Sequence, residues 1–183
     1  MSSIVVAGDT SGSVTLQAPA VAGSSVLTLP ASTGMVMVNG PAFSAYASAS
    51  LNVTTNVTTK VAINTITFDT ASCFDTTNNR FTPTVAGYYQ VNGLINCVGA
   101  TTLTQINAYL YKNGAAILRS GVISAPLTIS SQNHAMLSTL VYMNGSTDYL
   151  ELWGSIQGTG TLTFSYATVS NTSFFSASLI RSA

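Results

Sequence analysis

Few residues of this chain have side chains suited to acid–base or nucleophilic chemistry. The 183 residues include one His, two Cys and five Asp or Glu. The histidine, His134, lies between Asn133 and Ala135, whereas a zinc site needs several His, Cys or carboxylate ligands. A Ser-His-Asp triad built from distant residues stays open, but no Gly-x-Ser-x-Gly elbow accompanies it. We therefore expect that His134 faces solvent or lies in a loop and that the protein is not an enzyme.

The carboxylates are too few to indicate a metal or glycosidase site. Asp69 and Asp75 could flank one strand end, and Asp148 and Glu151 are near each other in sequence. Calcium needs several oxygen ligands at once, and a glycosidase needs a carboxyl pair across a cleft, which nothing in the sequence singles out. The glycine-rich stretches have no Lys after them, so they do not indicate a phosphate-binding loop. We expect no metal and no cofactor, and we assign no catalytic residue.

The two cysteines, Cys73 and Cys97, could form at most one disulfide. The apolar run Ile4–Ala7 has no basic residue before it and is too short for a secretory signal. Because thiols stay reduced in the cytosol, buried free thiols are favoured over a bridge, although pairing stays open. We expect the protein to be made in a cytoplasm.

The low charge of the chain excludes several classes of partner. Five Lys and Arg balance five Asp and Glu, so charged residues make up 5% of the chain, against about a quarter in ordinary domains. Nucleic-acid binding and polybasic membrane recognition have no electrostatic source here. No run of about 18 apolar residues occurs, so we expect no membrane insertion. A neutral surface of this kind favours ordered assembly with copies or neighbours.

Period-two alternation predicts an all-β fold with few helices. Core faces are predicted for the residues Tyr89, Val91, Gly93, Ile95, Cys97, Ile106, Ala108, Leu110, Leu150, Leu152, Ile156, Phe175, Ala177 and Leu179. The pairs Asn113-Gly114 and Asn144-Gly145 indicate hairpins, and Gly158-Thr159-Gly160 is predicted to separate two strands. Turns at this spacing are typical of a two-sheet sandwich or jelly roll.

A regular set of residues starts at Asp69 and continues through Phe74, Phe81, Gly87 and Tyr89, with gaps of four, six, five and one residues. It resembles the signature of the C1q-like domain, the jelly roll shared with the tumour necrosis factor family. Three further segments agree with the family: Pro41–Ala45, Tyr111–Gly114 and Ser173–Ile180. The resemblance covers Pro41 to Ala183 and implies a C1q/TNF-like jelly-roll sandwich that forms homotrimers. Its Phe and Tyr residues would anchor the core, and Gly87 would permit a tight chain reversal.

Three aromatic residues lie opposite the aliphatic faces of their strands: Tyr109, Tyr111 and Trp153. They could be isolated surface aromatics, which are common. Alternatively, they meet around a threefold axis, as the resemblance implies, and supply buried area without charge. In that case a charged residue at Tyr111 or Trp153 is expected to yield monomers or insoluble chain.

Residues 1–40 are predicted to form an extended N-terminal arm, and residues 41–183 a head domain. The arm holds two short strand-like runs, Gly12–Pro19 and Ser25–Pro30, which cannot bury much apolar surface alone. Its sequence resembles a segment that recurs in tailed-phage virion proteins, where it would contact other virion proteins. The alternative is that the arm adds edge strands to the sandwich.

Together these observations favour a structural virion protein of a tailed bacteriophage, a trimeric tail-fibre or spike tip used for host attachment. Its partner would be a host-surface glycan or protein, for which the Ser/Thr/Asn-rich segments Gly99–Thr104 and Gly121–Asn133 are predicted as loops. A capsid decoration or head-fibre protein is the first alternative. A free C1q-like ligand-binding module and a carbohydrate-cleaving enzyme are further alternatives.

Overall fold

The computed structural model describes residues 3–17, 21, 24, 40–127, 133–165 and 173–183. Among these residues the regular structure is strand, and no helix there is long and apolar enough to cross a membrane. The strands are β1 Ser3–Ala7, β2 Ser13–Gln17, β3 Ala42–Tyr46, β4 Leu51–Val53, β5 Thr59–Lys60, β6 Thr65–Asp69, β7 Phe74–Asp75, β8 Arg80–Phe81, β9 Ala86–Lys112, β10 Ala115–Leu127, β11 Asn133–Asn144, β12 Leu150–Phe164 and β13 Phe174–Ser182.

The long strand β9 belongs to both layers of a sandwich. Its N-terminal half pairs with β11 and β13, and β13 continues through β3 to β6; these strands form layer one. Its C-terminal half pairs with β10 and β12, and the short strands β4, β5 and β8 follow one another along the far side of β12; these strands form layer two. All of these pairs are antiparallel. The predicted all-β jelly-roll class is confirmed.

The space between the layers is filled by the predicted core faces. Phe43 lies at the centre of an aromatic cluster, with its ring centroid 4.6 Å from those of Phe74 and Phe81 and 5.2 Å from that of Phe175. Tyr89 contacts Phe81 edge to face at 5.6 Å. These five rings are buried, and each such contact contributes about 0.5–1.5 kcal/mol beyond its buried area. Phe74, Phe81 and Tyr89 of the signature thus lie in the core.

The other two signature residues shape the backbone around this cluster. The Asp69 carboxylate accepts the backbone N–H of Phe74 at 2.8 Å and that of Ala71 at 3.3 Å, so it closes the turn between β6 and β7. Gly87 lies inside β9, not in the chain reversal predicted for it. A Cβ there would collide with the backbone oxygen of Arg181 on the neighbouring β13. Close packing of two strands, and not a turn, therefore requires glycine at this position.

Two segments predicted as a loop and a turn are parts of long strands. Gly99–Thr104 continues β9 and Gly158–Gly160 continues β12, and the two segments pair with each other through register shifts. The hydroxyls of Thr102 and Thr159 lie 2.7 Å apart. Bulges of this kind bend a strand and change which residues face the core. Here buried positions shift from odd residue numbers such as Cys97 to even ones such as Ile106.

The two Asn-Gly pairs differ in outcome. Asn113 and Gly114 have φ of 53° and 82°, as a two-residue turn between β9 and β10 requires, so this hairpin is confirmed. At the second pair only Gly145 has positive φ, and β11 and β12 each pair with β9. The Asn144 side chain instead accepts the backbone N–H groups of the three residues that follow Gly145. The hairpin predicted there is wrong, because this side chain closes a wider turn.

The segment Gly121–Asn133 is also largely strand where it is described. Gly121–Leu127 belongs to β10 and Asn133 begins β11, whereas residues 128–132 lie outside the described residues. The prediction of a loop there is therefore wrong for its first part.

The N-terminal unit, Met1–Met35, is separate from the unit Val36–Ala183. Its strands β1 and β2 form an antiparallel ribbon in which Ile4 lies opposite Leu16 and Val6 opposite Val14. Directly opposed residues share a face, so these four aliphatic side chains form one face, and each is more than half exposed. The predicted run Ser25–Pro30 lies outside the described residues. The boundary at Pro41 stays a prediction.

Candidate interaction surfaces

Layer one presents a neutral outer face with an apolar side. We define this layer-one face by seven of the outward residues of β9 and β11: Tyr88, Gln90, Asn92, Met136, Ser138, Leu140 and Tyr142. Met136 and Leu140 are 61% and 56% exposed, and the rings of Tyr88 and Tyr142 contact each other at 5.5 Å. No member carries a charge, but Arg181 lies opposite Tyr88 and Lys112 lies 5.8 Å from the Tyr142 ring centroid. Large apolar side chains this exposed on adjoining strands are typical of a surface that another protein covers.

The polar centre of the layer-one face is held by its own hydrogen bonds. The Gln90 amide donates to the Ser138 hydroxyl at 2.9 Å, and that hydroxyl donates to the Asn92 side-chain oxygen at 2.9 Å. Because these groups satisfy one another, covering them with a second protein costs less than covering groups that depend on water. The same face extends to Phe68 of β6, which is 48% exposed. Directly opposed residues on four neighbouring strands connect the two: Phe68, Ser44, Ser176 and Asn92.

Layer two brings together the three aromatic residues predicted at a trimer interface. The rings of Tyr111 and Trp153 stack at 4.8 Å, and Tyr109 contacts Tyr111 at 6.5 Å. All three are half-buried on the outer side of β9 and β12. Their proximity follows from the register, in which Trp153 lies opposite Tyr109 and Glu151 opposite Tyr111. Their role in a trimer stays a prediction.

Sequence reasoning missed the cations around these rings. Lys60 lies 5.5 Å from the Trp153 ring centroid, and Arg119 lies 5.9 Å from that of Tyr109. Arg80 lies on a further ring, that of Tyr149, at 3.6 Å, and shares the Glu151 carboxylate with Trp153. We define the aromatic-cationic surface by Lys60, Arg80, Tyr109, Tyr111, Arg119 and Trp153. A charged residue at an alternate strand position indicates only that the residue is exposed. The sequence therefore holds no local signal that these distant residues come together.

Glu151 lies beneath this surface and organises it. Its side chain is 3% exposed and accepts hydrogen bonds from Lys60 at 2.8 Å, from Arg80 at 2.7 Å and from the Trp153 indole at 3.0 Å. Burial by itself raises the pKa of Glu151, but these three donors outweigh it, so the pKa lies below its usual value. The ionised carboxylate therefore fixes two cations and one aromatic ring in place.

Arg119 is held from below in a similar way. The Asn107 side-chain oxygen accepts from Arg119 Nε at 3.1 Å and from Nη2 at 3.0 Å. The Asn107 amide in turn donates to the Ser155 hydroxyl at 3.1 Å. Asn107 and Ser155 are buried, so the guanidinium rests on a rigid polar support.

Two further carboxylates, Asp148 and Asp75, have structural partners of their own. Asp148 pairs with Lys112 at 2.8 Å and accepts the Asn113 side-chain amide at 2.7 Å, and hydrogen bonds from these two groups lower its pKa. Asp75 accepts backbone and side-chain N–H groups of Asn78 and the backbone N–H of Thr77. Within the described part of the chain, no three His, Cys, Asp or Glu residues come together in a group that could hold a metal ion.

The cysteines and the histidine are placed as the sequence predicts. Cys73 and Cys97 are free and buried, and burial raises the pKa of Cys97 to about 11, so both are inert thiols. His134 is exposed on β11, with its Nδ1 3.4 Å from the Asn96 side-chain oxygen. The prediction that His134 faces solvent is confirmed.

No family model and no curated protein matches the sequence. Solved structures do match. Eiger TNF from S. frugiperda has a TM-score of 0.58 and 15% identity, covering 79% of this chain and 93% of that chain. The fold is a TNF/C1q-like jelly roll. The globular domain of zebrafish complement 1qA has a TM-score of 0.55 and 15% identity over 78% of this chain and 99% of that chain. Murine APRIL has a TM-score of 0.56 and 8% identity, covering 78% of this chain and 100% of that chain.

The resemblance inferred from the residue spacing is thus confirmed at the level of fold. At 8–15% identity these structures say nothing of a ligand or partner of this chain.

Proposed function

We propose that this chain is a homotrimeric, non-enzymatic head module of a tailed-phage virion protein that attaches the particle to its host. The observation that carries the proposal is the layer-one face, a neutral surface with exposed apolar side chains on a TNF/C1q-like sandwich. The virion assignment is supported by the resemblance of the N-terminal segment to tailed-phage proteins. The assembly role is supported by the near absence of charge.

The layer-one face fits contact between copies better than the aromatic-cationic surface does. Burying the exposed half of Met136, Leu140, Tyr88 and Tyr142 would contribute roughly 1 kcal/mol each, with two cations, Lys112 and Arg181, beside the face. Burial of the aromatic-cationic surface would cover three cations together with Glu151 and Asp75, and desolvating these charges costs more free energy. We therefore place the trimer contact on layer one and make the aromatic interface the alternative that the variants below must exclude.

The aliphatic face of the β1–β2 ribbon supports the anchoring role of the arm. An isolated two-stranded ribbon is marginally stable in water, and this one leaves Ile4, Val6, Val14 and Leu16 uncovered. Other virion proteins would cover that face. Deletion of residues 1–17 is expected to leave the head trimeric and to abolish its incorporation into particles.

Antibody labelling of intact virions tests the location of the protein. Label at the tail tip is the expected result. Label on the capsid would instead indicate a capsid decoration or head-fibre protein, and absence of label from particles would favour a free C1q-like module.

Purified protein is expected to bind host cells without releasing sugar from their envelope, and sugar release would instead show a carbohydrate-cleaving enzyme.

A further inference from the structure

We propose that the aromatic-cationic surface of layer two is a binding platform for an acidic polysaccharide of the host envelope. The inference rests on the proposed function, because it assumes that the head meets the host. It names the site and the chemical class of the ligand.

The platform offers ring faces at fixed positions. Tyr109, Tyr111 and Trp153 form a continuous row across β9 and β12, and each ring is partly exposed. The apolar C–H face of a sugar ring packs on such aromatic surfaces while its hydroxyls stay hydrogen-bonded. With Arg119 on β10 at one end and Lys60 on β5 at the other, the platform spans four neighbouring strands. The three steps between these strands cover about 14 Å at ~4.8 Å each. A chain of sugars suits this length better than a single ring does.

The charge balance of the platform indicates an acidic ligand. Three of the five cations of the chain lie here, namely Lys60, Arg80 and Arg119. Two carboxylates lie beside them: Glu151, which is 3% exposed, and the exposed Asp75, which lies opposite Arg80 in the β7–β8 register. Three cations against two carboxylates leave one surplus positive charge on this surface of a protein of net charge zero. Guanidinium groups bind carboxylates through paired hydrogen bonds, so a uronic or sialic acid carboxylate would complement them.

The platform is rigid before any ligand arrives. Glu151 fixes Lys60, Arg80 and Trp153, and Asn107 fixes Arg119. Side chains already held in place lose little conformational entropy on binding, which favours affinity for a flexible polymer. This support from below also distinguishes the platform from a chance group of surface residues.

Binding of the full chain to immobilised acidic polysaccharides tests the proposal. The probes are polygalacturonate, alginate and polysialic acid, with fully methyl-esterified polygalacturonate as the neutral match. We expect binding to at least one acidic probe, weakening with salt, and none to the methyl ester. Arg119→Gln should weaken it about tenfold or more, as loss of a charge-assisted contact of ~1.5 kcal/mol implies. Trp153→Ala should also weaken it, because it removes a ring face on which a sugar would pack. Arg181→Gln, which removes an exposed cation of β13, should not.

Several results would overturn the proposal: no binding to any acidic probe, equal binding to the methyl ester, or equal losses in Arg119→Gln and Arg181→Gln. Host-cell binding that survives periodate oxidation of the glycans would indicate a protein receptor instead. Thermal unfolding confirms that each variant is folded. If the protein is trimeric and labels virions but binds no acidic probe, only this inference fails. A monomer or unlabelled particles would refute the proposed function itself.

Discussion

At the residue scale, the buried tyrosine of the core has a defined hydrogen-bond partner. The hydroxyl of Tyr89, a signature residue with no exposure, donates to the Val85 backbone oxygen at 2.7 Å. The adjacent Tyr88 is 45% exposed on the opposite face of β9. Replacing either tyrosine by phenylalanine removes the same hydroxyl group, from the core at position 89 and from the surface at position 88.

Tyr89→Phe is expected to lower the free energy of unfolding by about 1–2 kcal/mol, because it removes a buried hydrogen bond and leaves a carbonyl oxygen unsatisfied. Tyr88→Phe, the matched control, should change it by less than ~0.5 kcal/mol. Urea unfolding followed by fluorescence measures both. Equal effects at the two positions would contradict the placement of Tyr89 in the core.

Glu151 makes stability depend on pH in the acid range. Its pKa in the folded protein lies below its ordinary value of 4.5, so ionisation favours the folded state. This contribution is fully present above about pH 4.5 and is lost as the pH falls through the lowered pKa. Glu151→Gln should therefore reduce the slope of unfolding free energy against pH below 4.5, with Asp148 leaving a residual slope. An unchanged slope would contradict the ion-pair geometry.

At the element scale, the alternation within strands could be read from the sequence, but the partners of the strands could not. Period two correctly placed Ile106, Leu110 and Leu152 in the core, and the signature located the aromatic cluster. The sequence predicts a loop at Gly99–Thr104 and a turn at Gly158–Gly160, and both predictions are wrong. Glycine and threonine occur in strand bulges as well as in turns. Glu151 meets Lys60 and Arg80 only through pairings across 91 and 71 residues, for which the sequence holds no local signal.

The layer-one face also makes a prediction at this scale. Leu140→Glu places a charge at the centre of the proposed contact, where burial would cost several kcal/mol. We expect it to dissociate the oligomer without unfolding the sandwich. Ile117→Glu, at a position 47% exposed on β10, is the matched control and should leave the oligomer intact. Sedimentation velocity and thermal unfolding distinguish dissociation from misfolding.

At the scale of the whole molecule, the two faces of the sandwich have different chemistry. The layer-one face is partly apolar, with Arg181 and Lys112 at its side, and layer two carries rings and three cations. Our two proposals follow this difference, with self-association on layer one and ligand binding on layer two.

The central claim is that copies associate through layer one, and the mass of the protein in solution tests it most directly. Light scattering coupled to size exclusion should give about three times the 18.9 kDa of one chain for the unmodified protein and for Trp153→Glu, and the mass of one chain for Leu140→Glu. A monomeric unmodified protein, or a trimer that survives Leu140→Glu and dissociates with Trp153→Glu, would contradict it.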